Sequence, residues 1–206
     1  MKILMENWRG YLQEQEEEKE LDNLLDNAFG KVLSAFGKLM KSEAEDVADE
    51  IDEKSQQQKL DEGVLFGLGV ALAAPALVKI FAQIAKLFAN TIQGWTGKNV
   101  DNMNSLADKI IKYSDKVHHK FIVPIEFFVK KVLRIKDEKK AKQASDLLFN
   151  LLVAFLMVYS GVGAVEAAEA GKGTLAGFEG LLAAVKGGEV NAYLRSTLKR
   201  MASGTE

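Results

Sequence analysis

Cysteine is absent from this chain, and proline and histidine occur only twice each. Without cysteine, the protein has no disulfide, no thiolate metal ligand and no cysteine nucleophile. So little proline favours long helices, because proline interrupts a helix interior. Runs of alternating β-branched residues, which would indicate strands, are missing too. The sequence therefore predicts an all-α protein, a helical bundle.

Residue constellations that carry chemistry are also missing. His118 and His119 are adjacent, so on a helix their side chains diverge by about 100° and cannot share one metal ion. The segment EAGKGT lacks the first glycine and the hydroxyl residue of a phosphate-binding loop, since Glu166 and Gly173 occupy those positions. We therefore expect no enzyme activity, no catalytic residue, no bound metal and no cofactor.

What the chain does have is an uneven distribution of charge. Residues 1–62 contain 17 Asp and Glu against 8 Lys and Arg, whereas residues 104–142 contain 11 Lys and Arg against 5 acids. Such asymmetry indicates interaction or topology more than fold. We predict an acidic N-terminal helical arm over residues 1–62 and a hydrophobic and basic helical body over residues 63–206.

The acidic arm shows helical periodicity. Leu4, Trp8 and Leu12 share one face of a short amphipathic helix, and we regard them as candidates for docking on a partner. A second stripe at helical spacing comprises Leu21, Leu24, Leu25, Ala28, Val32, Ala35, Phe36 and Leu39. Residues 42–62 are mostly acidic or Gln, which is typical of either a solvated helix or a loosely ordered linker.

Two segments of the body are strongly hydrophobic. Residues 64–78 carry no charge over 15 positions, and residues 147–165 carry none over 19 positions. A helix needs about 17–25 apolar residues to cross a bilayer. Two interpretations remain open: two strongly hydrophobic helices form the buried centre of a soluble bundle, or they insert into a membrane.

Particular residues predict where the helices of the body begin and end. Pro124 is expected to end a middle helix over residues 103–122, because proline lacks the amide that helix continuation needs. Ser145 is the expected N-cap of the second hydrophobic helix, with Asp146 favourable near the positive end of its dipole. The glycine-rich tail after residue 166 predicts short helices separated by turns.

Basic side chains of the middle helix repeat on one face. The candidates for contact with an anionic surface are Lys109, Lys112, Lys116, Lys120, Lys130, Lys131 and Arg134. A solvated face, an anionic lipid surface and nucleic acid are the alternatives. Nucleic acid is the least expected, because Phe127 and Phe128 follow the apolar face instead of alternating with the lysines.

The opening segment MKILMENWRGYLQE combines Met-Lys, a short apolar and aromatic helix and a carboxylate. This pattern resembles the N-terminal leader on proteins of T-even-like tailed phages, especially marine myoviruses. The resemblance implies a capsid-targeting sequence, which binds the scaffold core of the prohead and is clipped by the prohead protease after a [Leu/Ile]-x-Glu site. Two segments match that site: Leu12 to Glu14, followed by Gln15 where a small residue is usual, and Leu60 to Glu62, followed by Gly63.

From the resemblance we expect first a non-enzymatic protein that is associated with the virion, either internal or structural. Its leader would direct it to the prohead. The partners it implies are phage scaffold or capsid proteins, and self-association is compatible with a helical bundle. One alternative is a membrane-active protein of the host inner membrane, holin-like or pore-forming. The other is a host-takeover adaptor in the host cytoplasm.

Overall fold

The structure is a computed structural model, and it describes residues 2–58, 61–96 and 103–160 of the chain. These residues form four helices: α1 (Lys2–Gln58), α2 (Glu62–Thr96), α3 (Met103–Val132) and α4 (Glu138–Tyr159). No strand occurs within those three ranges, so the all-α prediction is confirmed. The short helices predicted for the tail lie outside the described residues.

The four helices pack as a bundle with alternating directions. Along α1, Phe29 contacts Phe88 of α2, and further on Glu43 contacts Lys79, so α1 and α2 are antiparallel. α3 runs parallel to α1, and α4 runs antiparallel to α3 and alongside α2. The closely packed neighbours are therefore α1 with α2, α1 with α3, α3 with α4, and α2 with α4.

Apolar side chains at helical spacing join the helices in one core. The stripe predicted on α1 is confirmed, since Leu25, Val32 and Phe36 are fully buried in it. Residues 42–58 are helical, not a linker, and one side of this part of α1 is buried in the same core. Aromatic pairs cross each close interface: Phe29–Phe88, Phe36–Phe121, Phe121–Phe149 and Phe81–Phe155.

The prediction of two strongly hydrophobic helices is wrong in number. Among the described helices only α2 is long and apolar enough to cross a membrane, over Gly63–Gln93 with a mean hydropathy of 2.2. α4 begins at Glu138 with charged turns, and its apolar part follows these turns inside the same helix. Residues 151–157 are buried on every side, as in the centre of a bundle. The predicted stretch beyond residue 160 lies outside the described residues.

Two predicted helix boundaries are also wrong. α3 continues through Pro124 to Val132, because Phe121, Ile125 and Phe128 on either side of the proline are buried in the core. Their burial outweighs the roughly 3 kcal/mol that an internal proline costs. α4 is capped by Asp137, whose carboxylate accepts a hydrogen bond from the amide of Lys140 at 2.8 Å.

Ser145 is therefore an interior residue of α4 instead of its N-cap. Its hydroxyl is buried and donates a hydrogen bond to the carbonyl oxygen of Ala141 at 2.8 Å. This is the usual way for a serine in mid-helix to satisfy its hydroxyl.

One glycine allows a close approach between α2 and the end of α3. A Cβ atom at Gly69 would lie 2.7 Å from the carbonyl oxygen of Val132 and 3.7 Å from Cδ1 of Ile51. The first distance is too short for any side chain, so the backbones meet here only because the residue is glycine.

Replacing this glycine gives a direct test of the packing. Gly69→Ala is expected to destabilise the protein by about 1–3 kcal/mol, because the methyl group meets a backbone oxygen that cannot rotate away. Gly30→Ala and Gly37→Ala on α1 are matched controls, since a Cβ at either position meets nothing within 4 Å. Each control should gain about 0.5–1 kcal/mol from helix propensity. Urea denaturation measures all three, and a Gly69→Ala protein as stable as the parent would contradict the close approach.

Candidate interaction surfaces

The N-terminal end of α1 extends ahead of the core. Among the side chains described from Leu12 onwards, Leu21 is the first that is buried, and residues 12–20 are exposed or half-buried. Leu12 is 43% exposed, whereas the side chains of Leu4 and Trp8 lie outside the described part. Residues 2–20 are helical, so this segment has a length of about 28 Å at 1.5 Å per residue.

This leading part of α1 presents a concentrated negative charge. Between Leu12 and Leu21 its acids are Glu14, Glu16, Glu17, Glu18 and Glu20. Apart from a hydrogen bond between Gln13 and Glu17 and a contact of Glu18 with α3, these side chains face outward. An exposed acidic helix of this kind fits a partner with a basic groove.

The two predicted processing sites lie in different surroundings. Leu12 to Glu14 belong to the exposed helical segment ahead of the core. At the second site Leu60 lies outside the described residues, Asp61 caps α2 by accepting a hydrogen bond from the amide of Val64 at 2.8 Å, and Gly63 is exposed in the first turn. Cleavage at the second site would have to undo that cap.

Lys109 belongs to a helix–helix contact and not to an outward basic face. Its side chain is only 15% exposed, and its Nζ lies 2.7 Å from Asp22 Oδ1 and 3.4 Å from Glu18 Oε1, both on α1. Burial lowers the pKa of Lys109, but the hydrogen bonds and charges of Asp22 and Glu18 together raise it above its ordinary value. Arg134 of the candidate set likewise pairs with α1, through Asp52.

The ion pairs of Lys109 are expected to make a small, pH-dependent contribution to the free energy of unfolding. Lys109→Met is expected to cost less than about 1 kcal/mol, because its partners are partly exposed. Since the folded pKa is raised, the stabilisation is present below about pH 10.4 and is lost as the pH rises through the folded value. Thermal unfolding at neutral pH and above about pH 11, where an ordinary lysine is mostly neutral, tests this. Lys112→Met, at an exposed position, should leave the melting temperature unchanged at either pH. If the parent were still more stable than Lys109→Met at high pH, the stabilisation would not come from the charged pair.

The outward face of α3 carries a row of exposed basic and apolar side chains. At 100° per residue these positions fall within a sector of about 80°, over a length of about 27 Å. We call this surface the α3 row: Lys112, Lys116, Lys120, Val123, Phe127 and Lys130. Lys131, another candidate, is exposed at its edge.

One member of the α3 row, Phe127, differs from its prediction, and Val123 is a further exposed apolar residue. Phe127 was expected on the apolar face but is 39% exposed, and Val123 is 66% exposed. Phe121 and Phe128 do follow the buried face. The spacing of the sequence does indicate that Val123 and Phe127 are exposed, because these two positions share a side of the helix with Lys120.

One of the two histidines of α3 lies beside a carboxylate of α4. His118 is half-exposed, with Nε2 3.3 Å from Asp146 Oδ1 and its ring edge-on to Phe149 at 4.6 Å. Within residues 2–58, 61–96 and 103–160, no group of three or more His, Asp or Glu side chains is arranged to hold a metal ion. Comparison with known protein families, with curated proteins and with solved structures finds no match, so function has to be argued from the surfaces themselves.

Proposed function

We propose that this chain is a non-enzymatic phage protein that associates with the virion and is directed there by the first turns of α1. The observation that carries the proposal is the exposed acidic helix ahead of Leu21, which continues without a break into the core. Its opening residues resemble a capsid-targeting leader. A scaffold or capsid protein with a basic groove is the partner that this segment fits.

Processing after Glu14 fits this geometry better than processing after Glu62. A protease binds its substrate in an extended form, so the helix must open locally at the cut. From Leu12 to Glu20 no side chain is buried and resists that opening, whereas at Glu62 the cap made by Asp61 must be lost. Among the side chains of α1 described from Leu12 onwards, a cut after Glu14 leaves all of the buried ones in the chain.

Intact-mass analysis of purified particles tests both the presence of the chain in the virion and the choice of cleavage site. We expect a chain that begins at Gln15, and a double variant Leu12→Ala/Glu14→Ala should stay uncut. The matched control Leu60→Ala/Glu62→Ala should be processed like the parent. A chain that begins at Gly63 would overturn the choice of site, and absence from the particles would overturn the proposed function.

A second candidate, insertion into the host inner membrane, is supported by α2. Less than half of the most apolar stretch of α2 is buried (44%). Val64 is 50% exposed, and Leu65, Phe66 and Leu68 are only half-buried. A helix of this length and composition is suited to crossing a bilayer if the bundle opens.

Carbonate extraction of cells that produce the full chain separates these candidates. Release into the supernatant is expected for the closed bundle and argues against insertion. Retention in the pellet that is abolished by Ala73→Asp, inside the apolar stretch, but not by Gln57→Asp, an exposed position on α1 outside it, would establish insertion through α2.

A further inference from the structure

We infer that the α3 row is a docking surface for an anionic lipid bilayer, on which α3 lies flat along the membrane surface. The row is the only feature on the described part of α3 where lysines and exposed large apolar side chains occur together. It needs neither the leader nor an opening of the bundle, so it goes beyond the function proposed above.

The order of residues along the row matches a lipid–water interface. Lys112, Lys116 and Lys120 occupy one end and Lys130 the other, and the exposed Val123 and Phe127 lie between them. Apolar side chains of this size insert below the phosphate level, while lysines extend their ammonium groups to the phosphates. Both kinds of residue therefore find a partner on one surface.

The charges of the row are largely available. Lys112 and Lys120 are exposed to solvent. Lys116 lies over the ring of Tyr113, 5.1 Å from its centroid, and Lys130 contacts the exposed carboxylate of Glu138 at 3.1 Å. Both contacts are near the surface and are easily exchanged for a lipid phosphate.

A bilayer fits the row better than nucleic acid does. Phosphates of either ligand would satisfy the lysines, but single-stranded nucleic acid also requires aromatic rings on which several bases stack. The row offers one ring, Phe127, and the neighbouring Val123 has no use in stacking. Against a bilayer, by contrast, both Val123 and the ring of Phe127 would contact acyl chains.

The test is co-sedimentation of the full chain with vesicles. One set contains phosphatidylcholine and phosphatidylglycerol in equal parts, and the other contains phosphatidylcholine alone. We expect binding to the anionic vesicles only, weakening as salt is raised. Lys112→Gln/Lys116→Gln/Lys120→Gln should weaken binding by about 100-fold, since each lysine near such a surface contributes about fivefold.

Further variants isolate the contribution of each part of the row. Val123→Ser/Phe127→Ser should also lose most binding, while circular dichroism shows an unchanged fold because both residues are exposed. The control Lys31→Gln/Lys38→Gln/Lys41→Gln makes the same charge change on exposed positions of α1 and should bind like the parent.

Three results would overturn the inference. The first is equal binding by the parent and the Lys112/Lys116/Lys120 variant. The second is equal binding to neutral vesicles, which would indicate insertion through α2. The third is retention of the parent on single-stranded DNA without any vesicle binding.

Discussion

A chain that begins at Gly63 is expected not to form a stable bundle. It would lack all of α1, whose buried side chains include Phe29, Phe36, Met40 and Ile51. Eight large apolar side chains are buried on the described part of α1: Leu21, Leu25, Phe29, Val32, Phe36, Met40, Val47 and Ile51. At about 1.5–3 kcal/mol each, their burial contributes about 12–24 kcal/mol, which is comparable to or larger than the 5–15 kcal/mol by which a typical domain is stable. α2 and α3 would also expose the faces that α1 covers.

The matched comparison is a chain that begins at Gln15, which retains every side chain of α1 that is buried among those described from Leu12 onwards. It should unfold in urea with the same midpoint as the full chain, in one cooperative transition. The chain from Gly63 should show no cooperative transition and should bind a hydrophobic dye. A sharp unfolding transition in that chain would mean that the acidic arm of residues 1–62 is separable after all.

Phe121→Ala is expected to cost about 3–5 kcal/mol, which is the largest effect of any single substitution proposed for this protein. The ring is 1% exposed and lies between two others, 5.1 Å from Phe36 on α1 and 5.8 Å from Phe149 on α4. Its removal leaves a cavity where three helices meet, because the neighbouring rings cannot both move into the space.

Phe127→Ala on the same helix is the control for Phe121→Ala. It removes an identical ring from an exposed position, so the free energy of unfolding should change by no more than about 0.5 kcal/mol. Chemical denaturation of both variants gives the comparison. Equal losses would contradict the orientation of α3, and with it the α3 row.

Helix formation was predictable wherever one face of a helix carries a regular stripe. The stripe on α1 from Leu21 onwards is buried as its spacing indicated. The end of α3 and the start of α4 were not predictable in this way. At Pro124 and at Ser145 local preference favoured a boundary, but packing against other helices keeps both residues inside a helix. Those contacts join residues far apart in sequence, so a local pattern does not contain them.

The candidate surfaces were only partly predictable for a related reason. The lysine repeat on α3 was visible from spacing, but spacing alone does not say which lysines face another helix. Lys109 differs from Lys112 because α1 brings Asp22 within reach of one and not the other. Likewise, the exposure of Val123 depends on where α1 and α4 lie around α3.

The continuity of α1 also has a mechanical consequence. A partner that pulls on the N-terminal end of α1 would load the part from Leu12 to Glu20 before the buried part, and there no side chain is buried, so single turns can open separately. Beyond Leu21 the side of α1 packs against aromatic side chains of α2 and α3. A force along the helix axis there would shear these helix–helix contacts. Many contacts would then have to slip together, so the protein would tolerate strain at its attachment point without losing its core.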